Sequence, residues 1–299
     1  MPVLRGYLAA PGFEVELEKE LGASIEARIN GLLLAPAVEP EPAWVANIWF
    51  DPVRIPIASI GDAANRLRAI QRNWALHPGA NFRRAQLISE RLPRVAAKPI
   101  VFGESPPSSP LGSWTLIDAD TMLVAPRCSS PFPNGVYRFV ENREAPPSRA
   151  YLKLWEALTR AGAMPTPGEL CLDLGASPGG WTWVVASLGA RVVSVDKAPL
   201  DPNIASLPTV EVLRESAFGI EPASFPDAAW VLSDIICYPS RLLRLVRRWL
   251  EAGSTARFVC TLKFQGATDF EAIAGFNEIP GSRLVHLHHN KHELTWLRL

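Results

Sequence analysis

The clearest chemical promise in this chain lies in nine consecutive residues, Asp173-Leu-Gly-Ala-Ser-Pro-Gly-Gly-Trp181. They fall where an apolar, strand-like run, Glu169–Leu174, gives way to a helical one, Gly179–Leu188. In an open sheet of alternating strands and helices, ligands bind at such junctions. Gly175, Gly179 and Gly180 permit a sharp turn and a close backbone approach to a ligand. Asp196 ends the next strand, Arg191–Asp196, and a carboxylate there can accept both hydroxyls of a ribose. The layout points to a nucleoside-containing ligand, and three classes of chemistry share it. A dinucleotide needs G-x-G-x-x-G, whereas the spacing here is G-x-x-x-G-G. An acyl-transfer nucleophile is suggested by Gly175-Ala-Ser177-Pro-Gly179, a letter-for-letter G-x-S-x-G. In that elbow the residue after the serine donates its N–H to the oxyanion, and Pro178 has none. S-adenosylmethionine needs backbone carbonyls and room rather than a pyrophosphate cradle. A proline-containing turn followed by two glycines suits it.

The elements around this turn are regular. From Ser148 the pattern predicts helices over Ser148–Ala161, Gly179–Leu188, Ser240–Glu251 and about Ala267–Phe276. Between them it predicts strands at Glu169–Leu174, Arg191–Asp196, Val210–Leu213, Ala229–Asp234 and Ala256–Phe264, then Arg283–His288 and Glu293–Leu299. Strands alternating with helices imply a mostly parallel, doubly wound sheet, and the final pair implies one antiparallel strand. The first half is irregular. It reads as strands at Val3–Leu8, Ser24–Asn30, Trp44–Phe50 and Val53–Ile57, and as helices at Phe13–Leu21, Ala63–Leu76 and Phe82–Leu92. Prolines place the strands around residue 50 toward sheet edges. Proline is 28 of 299 residues, about twice the usual 5%. The run Glu-Ser-Pro-Pro-Ser-Ser-Pro-Leu-Gly at 104–112 reads as a linker within an N-terminal region of 1–147, ahead of a second domain at 148–299. The fold class is α/β, a Rossmann-like sheet with a smaller α+β N-terminal domain.

Composition narrows the function classes. Hydrophobic residues are 48% and charged residues 20%, which excludes wholesale disorder. Thirty basic and thirty acidic side chains cancel, which argues against a broadly cationic surface. Between Arg66 and Lys98, however, eight basic residues face one acid, Glu90. That asymmetry is either a solvated helix face or a surface for phosphates. No apolar run is long enough to span a membrane, and Met1–Gly12 lacks a signal-like apolar segment. Four scattered cysteines, Cys128, Cys171, Cys237 and Cys260, read as reduced thiols, so the expected location is cytoplasmic.

The sequence Asp-Leu-Gly-Ala-Ser-Pro-Gly-Gly-Trp-Thr resembles the cofactor motif of FtsJ-type ribose 2′-O-methyltransferases. Pieces along the whole chain are similar to the RlmM-type members, which modify a cytidine ribose of 23S rRNA. These are Pro11-Gly-Phe-Glu14, Ala145-Pro-Pro-Ser-Arg149, Ser194-Val-Asp196 and Leu213-Arg-Glu215. The resemblance implies a methyltransferase sheet, S-adenosylmethionine as cofactor and an RNA substrate, expected to be rRNA. It also implies a THUMP-like RNA-recognition region in the first 147 residues, shortened relative to the family.

That family uses a Lys-Asp-Lys-Glu tetrad, which the resemblance carries onto Lys153, Asp234, Lys263 and Glu293. The implied cofactor site comprises Gly175, Ser177, Pro178, Gly179, Gly180, Trp181, Asp196, Ser216 and Asp234. A ribose 2′-hydroxyl is a weak nucleophile and must lose its proton as it attacks a sulfonium methyl in line. A lysine base needs its pKa brought from about 10.4 toward roughly 7–8. Burial and a second lysine push it down, whereas two carboxylates push it up. In this reading Lys263 is the proton acceptor, Lys153 and Glu293 orient it and the ribose, and Asp234 holds Lys263 and approaches the cofactor. Two positions depart from the family. Ser216 stands where an Asp contacts the cofactor, and Ala150 replaces a cofactor-site serine. They leave an alternative, a catalytically inactive methyltransferase fold that binds RNA, and cofactor affinity together with turnover separates the two. His286, His288, His289 and His292 lack the spacing of a zinc set, and no metal is expected. Arg241, Arg244, Arg247 and Arg248 share one helix side, either a solvated face or a contact to RNA phosphates.

Overall fold

The computed structural model describes residues 3–79, 81–95 and 98–299. It divides into two units, Met1–Arg138 and Phe139–Leu299. The division falls before the expected boundary at 148, so the Ala145-Pro-Pro-Ser148 break belongs to the second unit. No helix among the described residues is long and apolar enough to cross a membrane.

The N-terminal unit begins with β1 (Leu4–Ala9), α1 (Glu14–Leu21), β2 (Ala27–Ile29), β3 (Leu32–Pro36), β4 (Val45–Phe50) and β5 (Val53–Pro56). It continues with α2 (Ile60–Ile70), β6 (Trp74–Leu76), α3 (Phe82–Ser89), β7 (Gly112–Leu116), β8 (Thr121–Ala125) and β9 (Arg127–Cys128). Two sheets form, ordered β2-β3-β1-β4-β9 and β5-β8-β7-β6. Helices α2 and α3 bury Ala63, Ala64, Leu67, Ala85 and Ile88 against Trp74, Trp114, Met122 and Val124 of the second sheet.

Several expectations change here. The helix expected over Ala63–Leu76 stops at Ile70, and residues 74–76 form β6. The Trp74 indole N–H donates back to the Leu67 carbonyl (2.9 Å), so the apolar spacing Leu67-Ile70-Trp74 is satisfied by a fold-back instead of by further turns. The strand expected over Ser24–Asn30 shrinks to Ala27–Ile29. Strand β4 lies inside its sheet, paired with both β1 and β9, because its prolines flank the ladder without interrupting it; of β4 and β5, β5 alone lies at an edge. The proline-rich run at 104–112 lies within the first unit, where it leads into the buried strand β7. Proline fixes local backbone geometry, and that says nothing of which core the flanking chain joins.

The second unit runs α4 (Tyr151–Ala161), β10 (Leu170–Leu174), α5 (Gly180–Ser187), β11 (Arg191–Val195), α6 (Pro202–Ala205) and β12 (Val210–Leu213). It then adds β13 (Ala228–Ser233), α7 (Pro239–Glu251), β14 (Arg257–Lys263), α8 (Phe270–Asn277), β15 (Ser282–Val285) and β16 (Glu293–Arg298). The sheet order is β12-β11-β10-β13-β14-β16-β15, parallel from β10 to β14, with β16 antiparallel to both its neighbours. Strand β10 reads Leu-Cys-Leu-Asp-Leu and is buried almost throughout, as a parallel strand covered on both faces must be. Helix α7 buries Leu242, Leu245, Val246 and Trp249 at helical spacing, each contributing roughly 1.5–3 kcal/mol. Strand order reverses between β10 and β13, the switch point at which such sheets open a crevice.

Candidate active site

The crevice gathers groups from five strands. Parallel strands β10, β11, β13 and β14 deliver their C-terminal ends to one sheet edge, and antiparallel β16 delivers its first residue there. Lys263 and Glu293 are therefore direct register partners.

The glycine turn is built by backbone constraints. Gly175 has φ +84°, and its N–H donates to the Val195 carbonyl (2.8 Å). A Cβ there would lie 2.8 Å from Ile235 Cβ and 2.9 Å from its Cα. Gly179, at φ +114°, caps α5. A Cβ on Gly180 would lie 2.6 Å from the Ser148 hydroxyl. The Ser177 N–H donates to Asp196 Oδ2 (3.0 Å) and the Ala198 N–H to Oδ1 (2.9 Å), leaving each carboxylate oxygen a second acceptor position. The Ser177 hydroxyl donates to the Pro199 carbonyl (2.8 Å), a structural commitment that further removes it from nucleophilic chemistry. Trp181 is buried, and its indole N–H donates to the Ala150 carbonyl (2.9 Å), tying the start of α4 to the turn.

Two adjoining cavities follow. One of about 360 Å³ is lined by Ser148, Asp173, Ser177, Trp181, Asp234 and Lys263, among others. The other, about 200 Å³, is lined by Asp196, Ser216, Phe218 and Arg241, among others. Gly175, Asp196 and Ile235 border both. Pro178, Gly180 and Ala150 line the first. Gly179 is absent from both linings and acts through the backbone of the turn.

The four charged residues meet beside the larger cavity. The Lys153 ammonium donates to Asp234 Oδ1 (2.8 Å) and Oδ2 (3.0 Å), and to Glu293 Oε1 (3.1 Å). Lys263 lies 3.1 Å from Asp234 Oδ1 and donates to the Asp234 carbonyl. Asp234 is thus the shared partner of both lysines, and Glu293 holds Lys153. Burial works to lower the Lys153 pKa, but the charges and hydrogen bonds of Asp234 and Glu293 together outweigh it and raise the ammonium above its ordinary value. Lys153 is therefore firmly charged, whereas Lys263 faces the cavity.

Three further residues carry the site and were not singled out from the sequence. Asp173 is fully buried, and burial pushes its carboxyl up to about 7, helped by the nearby Asp234 and Asp196 charges and opposed by a 2.7 Å hydrogen bond from the Thr182 hydroxyl. Ser148 presents a buried hydroxyl to the cavity with no hydrogen-bond partner among the described residues. Its signal was its place directly after Pro146-Pro147. Glu156, one turn after Lys153 on the buried helix α4, accepts from Arg160 (2.7 Å) and from the His288 N–H (3.0 Å), anchoring the turn that leads to Glu293. Two histidines of that segment have structural partners. His286 Nε2 lies 3.0 Å from the Lys291 carbonyl, and His292 Nε2 lies 2.8 Å from the Thr268 hydroxyl. Among the described residues no group of three or more His, Cys, Asp and Glu side chains could hold a metal ion. Of the arginines on α7, Arg247 faces Glu278 (3.3 Å), Arg248 donates to the Ile220 carbonyl (2.6 Å), and Arg241 lies 3.7 Å over the Phe218 ring.

Residues 146–259 match the family model described as FtsJ-like methyltransferase. Relatives named ribosomal RNA large subunit methyltransferase M are similar to the chain. That of Alkalilimnicola ehrlichii is 36% identical, covering 56% of this chain and 49% of that protein. The Halorhodospira halophila protein is 35% identical, covering 55% and 50%. The Methylococcus capsulatus protein is 32% identical, covering 68% and 62%. The chain spans about half the length of the first two relatives.

Proposed function

We propose that this chain, whose residues 146–259 belong to the FtsJ-like methyltransferase family, transfers a methyl group from S-adenosylmethionine to a ribose 2′-hydroxyl of RNA, with rRNA as the substrate. The observation that carries this reading is the meeting of Lys153, Asp234, Lys263 and Glu293 beside the cavity of the glycine turn.

The cavities fit the cofactor. Asp173, Asp196 and Asp234 line the larger cavity with carboxyl groups, which suits a cationic nucleoside. Asp196 retains acceptor positions for a ribose, Phe218 and Ile235 give apolar walls for a purine, and the orphaned Ser148 hydroxyl awaits a polar partner. Ser148 offers a hydroxyl two residues before Ala150, where the family carries its serine. S-adenosylmethionine, when bound, supplies an electrophilic methyl group on a sulfonium.

Lys263 would accept the 2′-hydroxyl proton as the oxygen attacks: the O–H bond breaks, the O–C bond forms, and the methyl–sulfur bond breaks to leave a neutral thioether. Lys153 stays protonated between Asp234 and Glu293 and does not compete for that proton. Its charge fixes the Asp234 carboxylate, and Asp234 Oδ1 in turn fixes the Lys263 amine. Much of the acceleration comes from this positioning. The exposed basic side chains Arg68, Arg72, Arg83, Arg91, Arg94 and Lys98 support an RNA-recognition role for the N-terminal unit. The test is transfer of radiolabelled methyl from S-adenosylmethionine to unmodified RNA, mapped by resistance to alkaline hydrolysis. Label at an alkali-resistant linkage is expected. Cofactor binding without label on any RNA would favour the inactive RNA-binding alternative.

A further inference from the structure

Between the larger cavity and α7 stand two large side chains that the fold leaves in water, Ile236 on the cavity lining and Tyr238 at the start of the helix. Ile236 is 78% exposed and Tyr238 65% exposed, while Cys237 between them is buried. Tyr238 itself has extended backbone (φ −63°, ψ 139°) and stands two residues after Ile236, with a bend at Cys237 between them. Ile236 lines the cavity together with Asp234 and Lys263. Tyr238 stands immediately before α7, yet its side chain makes no capping hydrogen bond. Packing and capping therefore explain neither residue. Arg241 and Arg244 follow, both exposed, on the first turns of α7. Arg244 makes no ion pair among the described residues and lines a surface groove with Arg241 and Arg248.

Resting on the reading above, we infer that Ile236 and Tyr238 form a platform on which a base of the RNA substrate stacks, with a neighbouring phosphate drawn to Arg244. The chemistry of a nucleotide requires something at this rim. The base hangs from C1′, the carbon next to the one bearing the 2′-hydroxyl, so a ribose whose 2′-oxygen reaches Lys263 brings its base to the cavity mouth. An aromatic face and an apolar side chain accept any base that has been lifted from its stack. The unpaired cation beyond them matches the charge of the backbone that carries the base.

The test is steady-state methyl transfer by the full chain to an unmodified large-subunit rRNA transcript, with cofactor affinity measured separately by calorimetry. Tyr238→Ala is expected to raise KM for RNA about 5- to 100-fold, with Ile236→Ala in the same direction. In Tyr238→Ala cofactor affinity stays unchanged, and Tyr238→Phe restores the wild-type KM. Arg244→Gln lowers the salt dependence of RNA binding by about one phosphate contact. An active wild type whose two alanine variants keep its KM would overturn this inference alone. A Tyr238→Phe variant as impaired as Tyr238→Ala would also overturn it, since the hydroxyl and not the ring would then matter. A wild type that methylates no RNA would overturn the underlying reading and this one with it.

Discussion

Replacing Asp173 by Asn should make the protein more stable at neutral pH, not less. Asp173 is 1% exposed, and burial raises its carboxyl from 3.8 to about 7, with Asp234 and Asp196 adding to the shift and the Thr182 hydroxyl bond opposing it. A carboxyl whose native pKa lies above its unfolded value binds its proton more tightly when folded. Stability is then full below pH 4 and falls as pH rises from about 4 to 7. At 1.36 kcal/mol per pH interval, the loss above pH 7 amounts to about 4 kcal/mol. Asparagine cannot ionise, and its carbonyl can still accept from Thr182. The Asp173→Asn variant should therefore match wild type near pH 4 and exceed it by up to about 4 kcal/mol at pH 8. Urea unfolding of both proteins at pH 4.5, 6 and 8 measures this. Glu156, His286 and His289 also have displaced pKa values, but they are present in both proteins and cancel in the difference. A difference that does not change with pH, or an asparagine variant less stable at pH 8, would refute the argument. The same proton links to function. A cationic cofactor beside Asp173 favours its ionised form, so wild-type cofactor affinity should rise with pH up to about 7, and the variant's should not.

Glu293→Gln leaves the buried Lys153 with Asp234 as its remaining carboxylate; a loss of about 1–3 kcal/mol is expected in urea unfolding, with lower turnover and unchanged cofactor affinity. Gly175→Ala places a Cβ 2.8 Å from Ile235 at φ +84°, which should cost about 1–3 kcal/mol of stability and weaken S-adenosylmethionine binding at least about tenfold by calorimetry. Ser148→Ala removes a hydroxyl that has no partner in the fold, so the unfolding midpoint should hold or rise while cofactor affinity falls by about 1 kcal/mol, or roughly fivefold.

The second unit, its four-residue helix α6 aside, was legible in the sequence because its other elements each have one strong signal. The strands are short apolar runs, α7 repeats its buried residues at helical spacing, and the glycines mark the turn at φ values only they adopt readily. Lys153, Asp234, Lys263 and Glu293 came from the family resemblance, and the sheet makes sense of their placement: three sit at strand ends that a parallel sheet with one antiparallel neighbour brings to a single edge. The first unit was less legible for physical reasons. Residues 32–35 are all buried and show no alternation, and Trp74 sits at a spacing that a helix and a fold-back satisfy equally. The run at 104–112 announces irregular backbone without saying which core it serves. What sequence could not supply was burial. The upward shift of Asp173, the sign of the Lys153 shift and the unpartnered Ser148 hydroxyl all depend on how much water the fold removes.

The division of labour between the two lysines is best tested by single-turnover methyl transfer to unmodified rRNA. Wild type and Lys263→Ala would be compared at saturating S-adenosylmethionine, with cofactor affinity measured for each. A loss of about 10²–10⁴ in rate with cofactor affinity within about threefold of wild type is the predicted result. Near-normal turnover by Lys263→Ala, with the cofactor still bound, would contradict the assignment of Lys263 as the proton acceptor.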